Sequence, residues 1–270
     1  MTAVITLCSE ARLDHVRRQQ AFLQSVPVRR VVVWLDAEPP PPFSGAVVRH
    51  VPPGPHGMRL AAGRNEGARA AGAADLLVFL DADCLPGPEL LARYRSAAGA
   101  HPDALLCGPV TYLRSGVTPS RVDALPALTA PHPARPAPPP GETVVAGPDD
   151  YRLFWSLSFA VTAPTWEALG GFDEAYEGYG GEDTDLAWTA RKAAVPLVWV
   201  GGAHAYHQYH PTSSPPWQHL DDILRNGRLF AARWGFWPMQ GWLDAFAEAG
   251  AIEHTPTGWQ RVRNSGSMFG

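Results

Sequence analysis

Three short stretches carry side chains that could do chemistry. The first is Asp81-Ala82-Asp83, directly after the apolar run Leu76–Leu80. Two carboxylates one residue apart at a strand end project into one crevice and raise each other's pKa, and a hard divalent cation relieves that repulsion. Mg²⁺ or Mn²⁺ takes a few carboxylates plus phosphate oxygens from a substrate. Turn-forming or helix-capping acids would leave the same residues, and the pair alone does not choose between the two. The second stretch is Gly180-Gly181-Glu182-Asp183-Thr184-Asp185, ahead of a helix. Acids there complement the helix dipole by about 0.3–1 kcal/mol each, which accounts for one or two of the three. The dipole does not account for Gly178, Gly180 and Gly181 crowded beside Tyr176 and Tyr179. Glycine lets backbone approach a ligand, tyrosine offers a flat apolar face with a polar edge that suits a sugar ring, and a carboxylate held ionised at a helix start suits a general base for a hydroxyl. The third is His204, His207 and His210. On a helix that spacing would share one face, but the glycine and proline around it argue for a loop, and no spacing brings His207 to Asp83.

The elements that must hold these residues alternate in type. Val4–Leu7 reads as a strand, with a helix capped by Ser9 and running to about Ser25. Val31–Leu35 is an apolar strand ending at Asp36, and Val47–Val51 is another. A helix over 58–72 precedes the strand Leu76–Leu80, and Pro86 or Pro88 opens a helix to about Ala98. Such alternation argues for an open, mostly parallel α/β sheet, in which ligands gather beyond the carboxyl ends of the strands. Asp36, Asp81 and Asp83 all stand at such ends. Strands follow at 103–111, 153–162 and 195–200, and helices at 165–169, after the Gly-Gly-Glu-Asp run, at 217–234 and at 236–250. The stretch 114–148, with PHPARPAPPPG, reads as an exposed, partly extended loop, either a lid or a surface insertion. Trp217, Trp234, Phe236, Trp237, Trp242 and Phe246 either pack the added helices or form an acceptor platform.

Composition excludes several classes. With 270 residues and a formal net charge of −4, a basic nucleic-acid groove is not expected. A hydrophobic share of 46% against 18% charged residues indicates a folded chain. No apolar run approaches the roughly 18 residues that cross a bilayer, and the start lacks the basic-then-apolar pattern of a signal peptide. Cys8, Cys84 and Cys107 form no Cys-x-x-Cys pair, which points to reduced thiols and a cytoplasmic setting.

The order strand–Asp36, Arg64-Asn65, FLDADC at 79–84, GGFDE at 170–174, GYGGEDTDLAWTAR at 178–191 and AYHQ at 205–208 resembles family 2 glycosyltransferases with the GT-A fold. The second half is similar to the galactosyltransferase-type segment shared by galactosyltransferases, polypeptide N-acetylgalactosaminyltransferases and chondroitin-polymerase-like enzymes. The resemblance covers roughly 3–210. It implies a GT-A, Rossmann-like, mixed and mostly parallel sheet flanked by helices, with a helical C-terminal extension. Residues 1–110 would be the nucleotide-sugar-binding half, 111–148 an insertion, 149–210 the acceptor and catalytic half, 211–263 the helical extension and 264–270 a disordered tail.

The resemblance also implies an inverting, metal-dependent transfer of a hexosyl group from a nucleotide-diphosphate sugar to an acceptor hydroxyl. Asp36 would contact the base, Arg64 and Asn65 would lie near the nucleotide, and Asp81 and Asp83 would meet the ribose and the diphosphate-bound Mn²⁺ or Mg²⁺. His207 would complete the metal shell with Asp83 and Asp81. Asp183 would be the catalytic base, with Glu182 positioning an acceptor held by Tyr179, Gly180 and Gly181. Strand ends reading Leu7-Cys8-Ser9 and Leu35-Asp36-Ala37-Glu38 depart from the family's commoner aromatic-Asn-Glu and Asp-Asp-Gly-Ser. A uridine diphosphate donor is favoured over guanosine or thymidine. The acceptor would be a glycan, a lipid-linked glycan or a small molecule, with the protein cytoplasmic or peripheral to the inner membrane face.

Two other readings stand beside this one. A haloacid-dehalogenase-type phosphotransferase would use Asp81 as nucleophile and the sole lysine, Lys192, but would leave the Gly-Gly-Glu-Asp run unexplained. A catalytically idle sugar- or nucleotide-binding protein could share the same fold. A dinucleotide enzyme is excluded by the lack of G-x-G-x-x-G after the first strand.

Overall fold

Short apolar runs form the middle of the sheet, because strands covered by helices on both faces need side chains that are apolar on both. A computed structural model describes residues 1–262; residue 263 and the expected tail at 264–270 lie outside the described residues. In chain order the elements are β1 (Thr2–Cys8), α1 (Leu13–Leu23), β2 (Arg29–Trp34), β3 (Val47–His50), α2 (Leu60–Ala70), β4 (Leu76–Leu80), β5 (Cys84–Pro86) and α3 (Leu90–Ala100). Then come β6 (Leu105–Cys107), β7 (Val110–Tyr112), β8 (Thr143–Val145), β9 (Ser158–Thr162), α4 (Ala163–Leu169), α5 (Glu182–Lys192), β10 (Leu197–Val200) and β11 (Ala205–His207). The last are α6 (Leu220–Trp234), α7 (Gln240–Glu248), β12 (Ile252–Thr255) and β13 (Gly258–Arg261).

The main sheet has eight strands in the order β3-β2-β1-β4-β9-β6-β10-β8. β3, β2, β1 and β4 are parallel, β9 runs against β4 and β6, β10 is parallel to β6, and β8 runs against β10. The sheet is therefore mixed and mostly parallel. Chain order reverses about β1, so the crevice beyond the carboxyl ends of β1 and β4 is where a ligand belongs. α2 lies close over β1 and β2. A methyl group at Gly67 would stand 2.3 Å from Ile5 Cγ2, so only glycine permits that approach, and the approach sets Arg64 and Asn65 at the sheet's rim.

A second sheet, β5-β11-β7, crosses the rim. Its register pairs His207 with Cys84 of β5 and with Tyr112 of β7. The histidine segment expected as a loop is thus partly a strand, because β5 and β7 supply partners that its three residues could not reveal alone. Other differences have similar causes. Ser9 makes no side-chain cap; the Asp36 carboxylate accepts from the Glu10 N–H in its place. The 114–148 segment gives β8 to the sheet edge and packs Leu125 with Phe22, Leu85, Leu113 and Tyr206, so it is neither fully irregular nor fully exposed. The C-terminal extension is not wholly helical: a β12–β13 hairpin closes it around Gly258. It has a core of its own, with Leu220, Ile223, Leu224, Leu243, Phe246 and Ile252. Among the described residues no helix is long and apolar enough to cross a membrane.

Candidate active site

The turn after β4 delivers two carboxylates to a cleft of about 890 Å³. Gln19, fully buried on α1, shapes that turn. Its Nε2 donates to the carbonyls of Asp81 (2.7 Å) and Cys84 (2.8 Å), and its Oε1 accepts from Thr6 Oγ1. Asp83 then faces His207 Nε2 at 3.4 Å, His210 Nε2 at 3.3 Å and Arg12 Nε at 3.4 Å. Ligand atoms of Asp83, His207 and His210 lie within 4.8 Å of one another. Burial pushes the Asp83 carboxyl up, but the His210 hydrogen bond and the charges around it prevail and hold it at about 2. Arg12 is the permanent positive charge among them. Burial pushes His207 below the ordinary histidine value, against the pull of Asp83, which leaves the neutral imidazole that coordination requires.

Arg64 joins three elements. It is 4% exposed on α2 and reaches Asp81 Oδ1 at 3.3 Å and Glu182 Oε1 at 3.2 Å at the start of α5. Two carboxylates, Asp81 and Glu182, thus share one guanidinium, with the charge of Asp183 close by. Burial raises Glu182 to about 7, with Asp183 adding to the rise and Arg64 opposing it. Burial raises Asp81 to about 6, again against Arg64. Asp183 is raised as well, first by burial. Its Oδ1 accepts from the Thr184 N–H at 2.7 Å, and its Oδ2 has no hydrogen-bond partner among the described residues.

The backbone entering α5 turns through left-handed conformations at Gly178, Gly180 and Gly181, with φ of +70°, +88° and +96°. Only glycine adopts these without strain. Asn226, fully buried on α6, fastens the loop by donating from Nδ2 to the carbonyls of Glu177, Tyr179 and Gly180. Asp185 is a structural acid: buried, it accepts from Trp234 Nε1 at 2.7 Å, Arg233 Nη1 at 2.6 Å and the Tyr176 hydroxyl at 3.3 Å. That pairing removes Tyr176 from any sugar platform. Tyr179 does line the cleft, and one face of its ring stacks on His219 at 4.3 Å.

Of the residues singled out in the sequence, Arg64, Asp81, Asp83, Tyr179, Gly180, Gly181, Glu182, Asp183 and His207 line the one cleft. Asp81 does not join the metal-capable cluster; its carboxylate pairs with Arg64, and His210 takes the third place. Asn65 grips Phe172 through its N–H and carbonyl, both at 2.9 Å, and so anchors the 170–174 turn rather than lining the cleft. Asp36 likewise lies off the cleft wall, engaged with Glu10. His204 is buried against Thr111 Oγ1 at 2.6 Å, with burial lowering its pKa to about 4. Gln19 and Asn226 escaped sequence reasoning. Their only signal is a polar residue at an otherwise buried position of its helix. Of the extension's aromatics, Phe246 packs its core, Trp237 and Trp242 both pack against that core and line the cleft, and Phe236 lines the cleft.

Residues 144–211 match the family model described as N-terminal domain of galactosyltransferase. The Gly-Tyr-Gly-Gly-Glu-Asp run and His207 fall inside that stretch. A validoxylamine A glucosyltransferase of Streptomyces hygroscopicus subsp. jinggangensis is 32% identical over 163 residues, covering 53% of this chain and 37% of the relative. The chain thus spans little more than a third of that relative's length. S. aureus TarS superposes with a TM-score of 0.59 at 13% identity, over 92% of this chain and 42% of TarS, and has also been crystallised in complex with UDP-GlcNAc. GalNAc-T7, crystallised with UDP, GalNAc and Mn²⁺, superposes with a TM-score of 0.54 at 14% identity, over 87% of this chain and 51% of its own. The fold is that of the GT-A glycosyltransferases.

Proposed function

We propose that the chain is an inverting, metal-dependent glycosyltransferase that moves a hexosyl group from a uridine diphosphate sugar to an acceptor hydroxyl. One observation carries the reading: a single cleft gathers a three-residue cation site, a paired guanidinium and a carboxylate with a free oxygen. One carboxylate and two imidazoles form a borderline donor set, which suits Mn²⁺ better than Mg²⁺. Held by Asp83, His207 and His210, such an ion would neutralise the donor's diphosphate and improve it as a leaving group.

The protein's own part is proton handling and positioning. Asp183 takes the proton of the acceptor hydroxyl while that oxygen bonds to the anomeric carbon and the bond to the diphosphate breaks. Attack from the face opposite the leaving group inverts that carbon. Arg64 fixes Glu182 beside Asp183, so Glu182 can orient the acceptor. The ring of that acceptor fits the uncharged wall of Phe236, Trp237 and Trp242, which favours a small cyclic polyol or a glycan end. Buried free thiols at Cys8, Cys84 and Cys107 support a cytoplasmic setting.

A thermal-shift panel of UDP-, GDP- and dTDP-sugars, with and without Mn²⁺, tests the reading. One donor is expected to stabilise the protein only with Mn²⁺, by about 2.7 kcal/mol at a hundred times its Kd, and to release its nucleoside diphosphate on incubation. Absence of any Mn²⁺-dependent stabilisation across the panel defeats the proposal.

The pH profile follows from the buried acids. Asp183 must be ionised to accept a proton, and burial raises its pKa. The base is therefore lost as pH falls through that raised value, at higher pH than for an ordinary carboxylate. A plot of kcat/KM against pH should show an acid limb above the usual range near 4, and a limb at 4 would contradict the assignment.

A further inference from the structure

A line of rings leads away from the cation site into the 114–148 insertion. Tyr112, the last residue of β7, stands beside His207 in register, and its ring stacks on the imidazole with centroids 4.5 Å apart and planes 26° apart. His132, from the insertion, meets Tyr112 at 5.4 Å and Trp155 at 5.3 Å, both edge to face. Arg135 lies over Trp155 at 5.1 Å and over Trp199 at 5.3 Å.

The insertion is fastened where it matters. The His132 N–H donates to the Val110 carbonyl at 2.8 Å, and the Ala130 N–H donates to Thr111 Oγ1 at 3.0 Å. Thr129 Oγ1 and the Tyr206 hydroxyl form a further hydrogen bond. These bonds grip β7 and β11 at the residues just before Tyr112 and His207. Arg135 is 4% exposed, and none of its guanidinium nitrogens has a hydrogen-bond partner among the described residues. Burying such a cation is costly, and its contact with two indole faces offsets part of that cost. What holds the segment down is the set of bonds from residues 129–132 to β7 and β11.

A ligating imidazole usually has its plane set by a hydrogen bond to its other nitrogen. Among the described residues His207 Nδ1 has no such partner; the face of Tyr112 is what meets the ring. We infer that the insertion braces the cation site, and that Tyr112 is a positioning residue whose stacked ring turns His207 Nε2 toward Asp83 and His210. This rests on the three-residue cation site of the proposed function.

Mn²⁺ binding to the protein without donor or acceptor, followed by the electron paramagnetic resonance signal of free Mn²⁺, tests it. Tyr112→Leu is expected to weaken Mn²⁺ binding about tenfold, at the lower end of the range for lost supporting contacts. Tyr112→Phe, which keeps the stacking face, should bind within about twofold of the wild type, and His132→Ala should weaken binding by a smaller factor in the same direction. Since Tyr112 is about half exposed, the metal-free melting temperatures should agree. If Tyr112→Leu binds Mn²⁺ as the wild type does, or Tyr112→Phe binds as weakly as Tyr112→Leu, the positioning role is wrong. If the wild type binds no Mn²⁺, the cation site itself fails and this inference fails with it.

Discussion

Replacing Asp183 by asparagine is expected to lower kcat about 10²–10⁴-fold while Mn²⁺ and donor binding stay within a few-fold of wild type. The amide keeps the shape of the side chain and an oxygen that can accept from the Thr184 N–H, so that bond in the first turn of α5 is retained. What it loses is affinity for a proton. Arg64 keeps both its partners, Asp81 and Glu182, so the wall of the cleft is unchanged by the substitution. The measurement is kcat at saturating donor and acceptor, set beside a binding titration of donor with Mn²⁺. A variant that kept a tenth or more of the wild-type kcat would place the base elsewhere, and Glu182 would be the next residue to test.

The other large effect is expected at Asp83. Removing the only carboxylate of the cation cluster by Asp83→Ala leaves two imidazoles and the unpaired Arg12. Loss of a few kcal/mol of transition-state stabilisation corresponds to a fall of about 10²-fold or more in kcat/KM, and chelating the metal from the wild type should reach the same floor. Asp81→Asn separates the two acids of the Asp-x-Asp pair. Because Asp81 pairs with Arg64, that variant should retain Mn²⁺ binding while Asp83→Ala loses it. A Mn²⁺ titration of both proteins decides the matter. Equal loss in the two would mean that Asp81 also coordinates, as the sequence alone suggested.

The legible parts of this chain were the local ones. Leu76–Leu80 stands out as a buried strand because its whole signal, five apolar residues followed by acids, is contiguous. The Gly-Gly-Glu-Asp run announced itself in the same way, since left-handed turns and a helix start have their causes within a few residues. Local patterning does not bring His207 to Asp83, because that meeting depends on β11 pairing with β5 and neither three-residue strand carries a pattern of its own; only the family resemblance implied it. His210 was lost with it: its spacing from His207 means nothing until the end of β11 is known. Asp36 and Asn65 are tied elsewhere within the chain. Each has a residue type suited to a ligand; Asn65 spends both side-chain polar atoms on the 172–174 turn, and Asp36 gives one carboxylate oxygen to the Glu10 N–H. The insertion misled because proline-rich composition describes a backbone without regular hydrogen bonds, whereas its placement is decided by His132 and Arg135 on rings from other elements.

The pairing of β11 with β5 joins the first third of the chain to its last quarter. Closing so long a span has an entropic cost that is recovered only when distant partners dock, so such contacts tend to form slowly. On the ribosome, a nascent chain could finish most of the central strands and still have nowhere to seat an ion. Competence for chemistry would then arrive together with the final quarter, after the β1–β4 half of the sheet has already condensed.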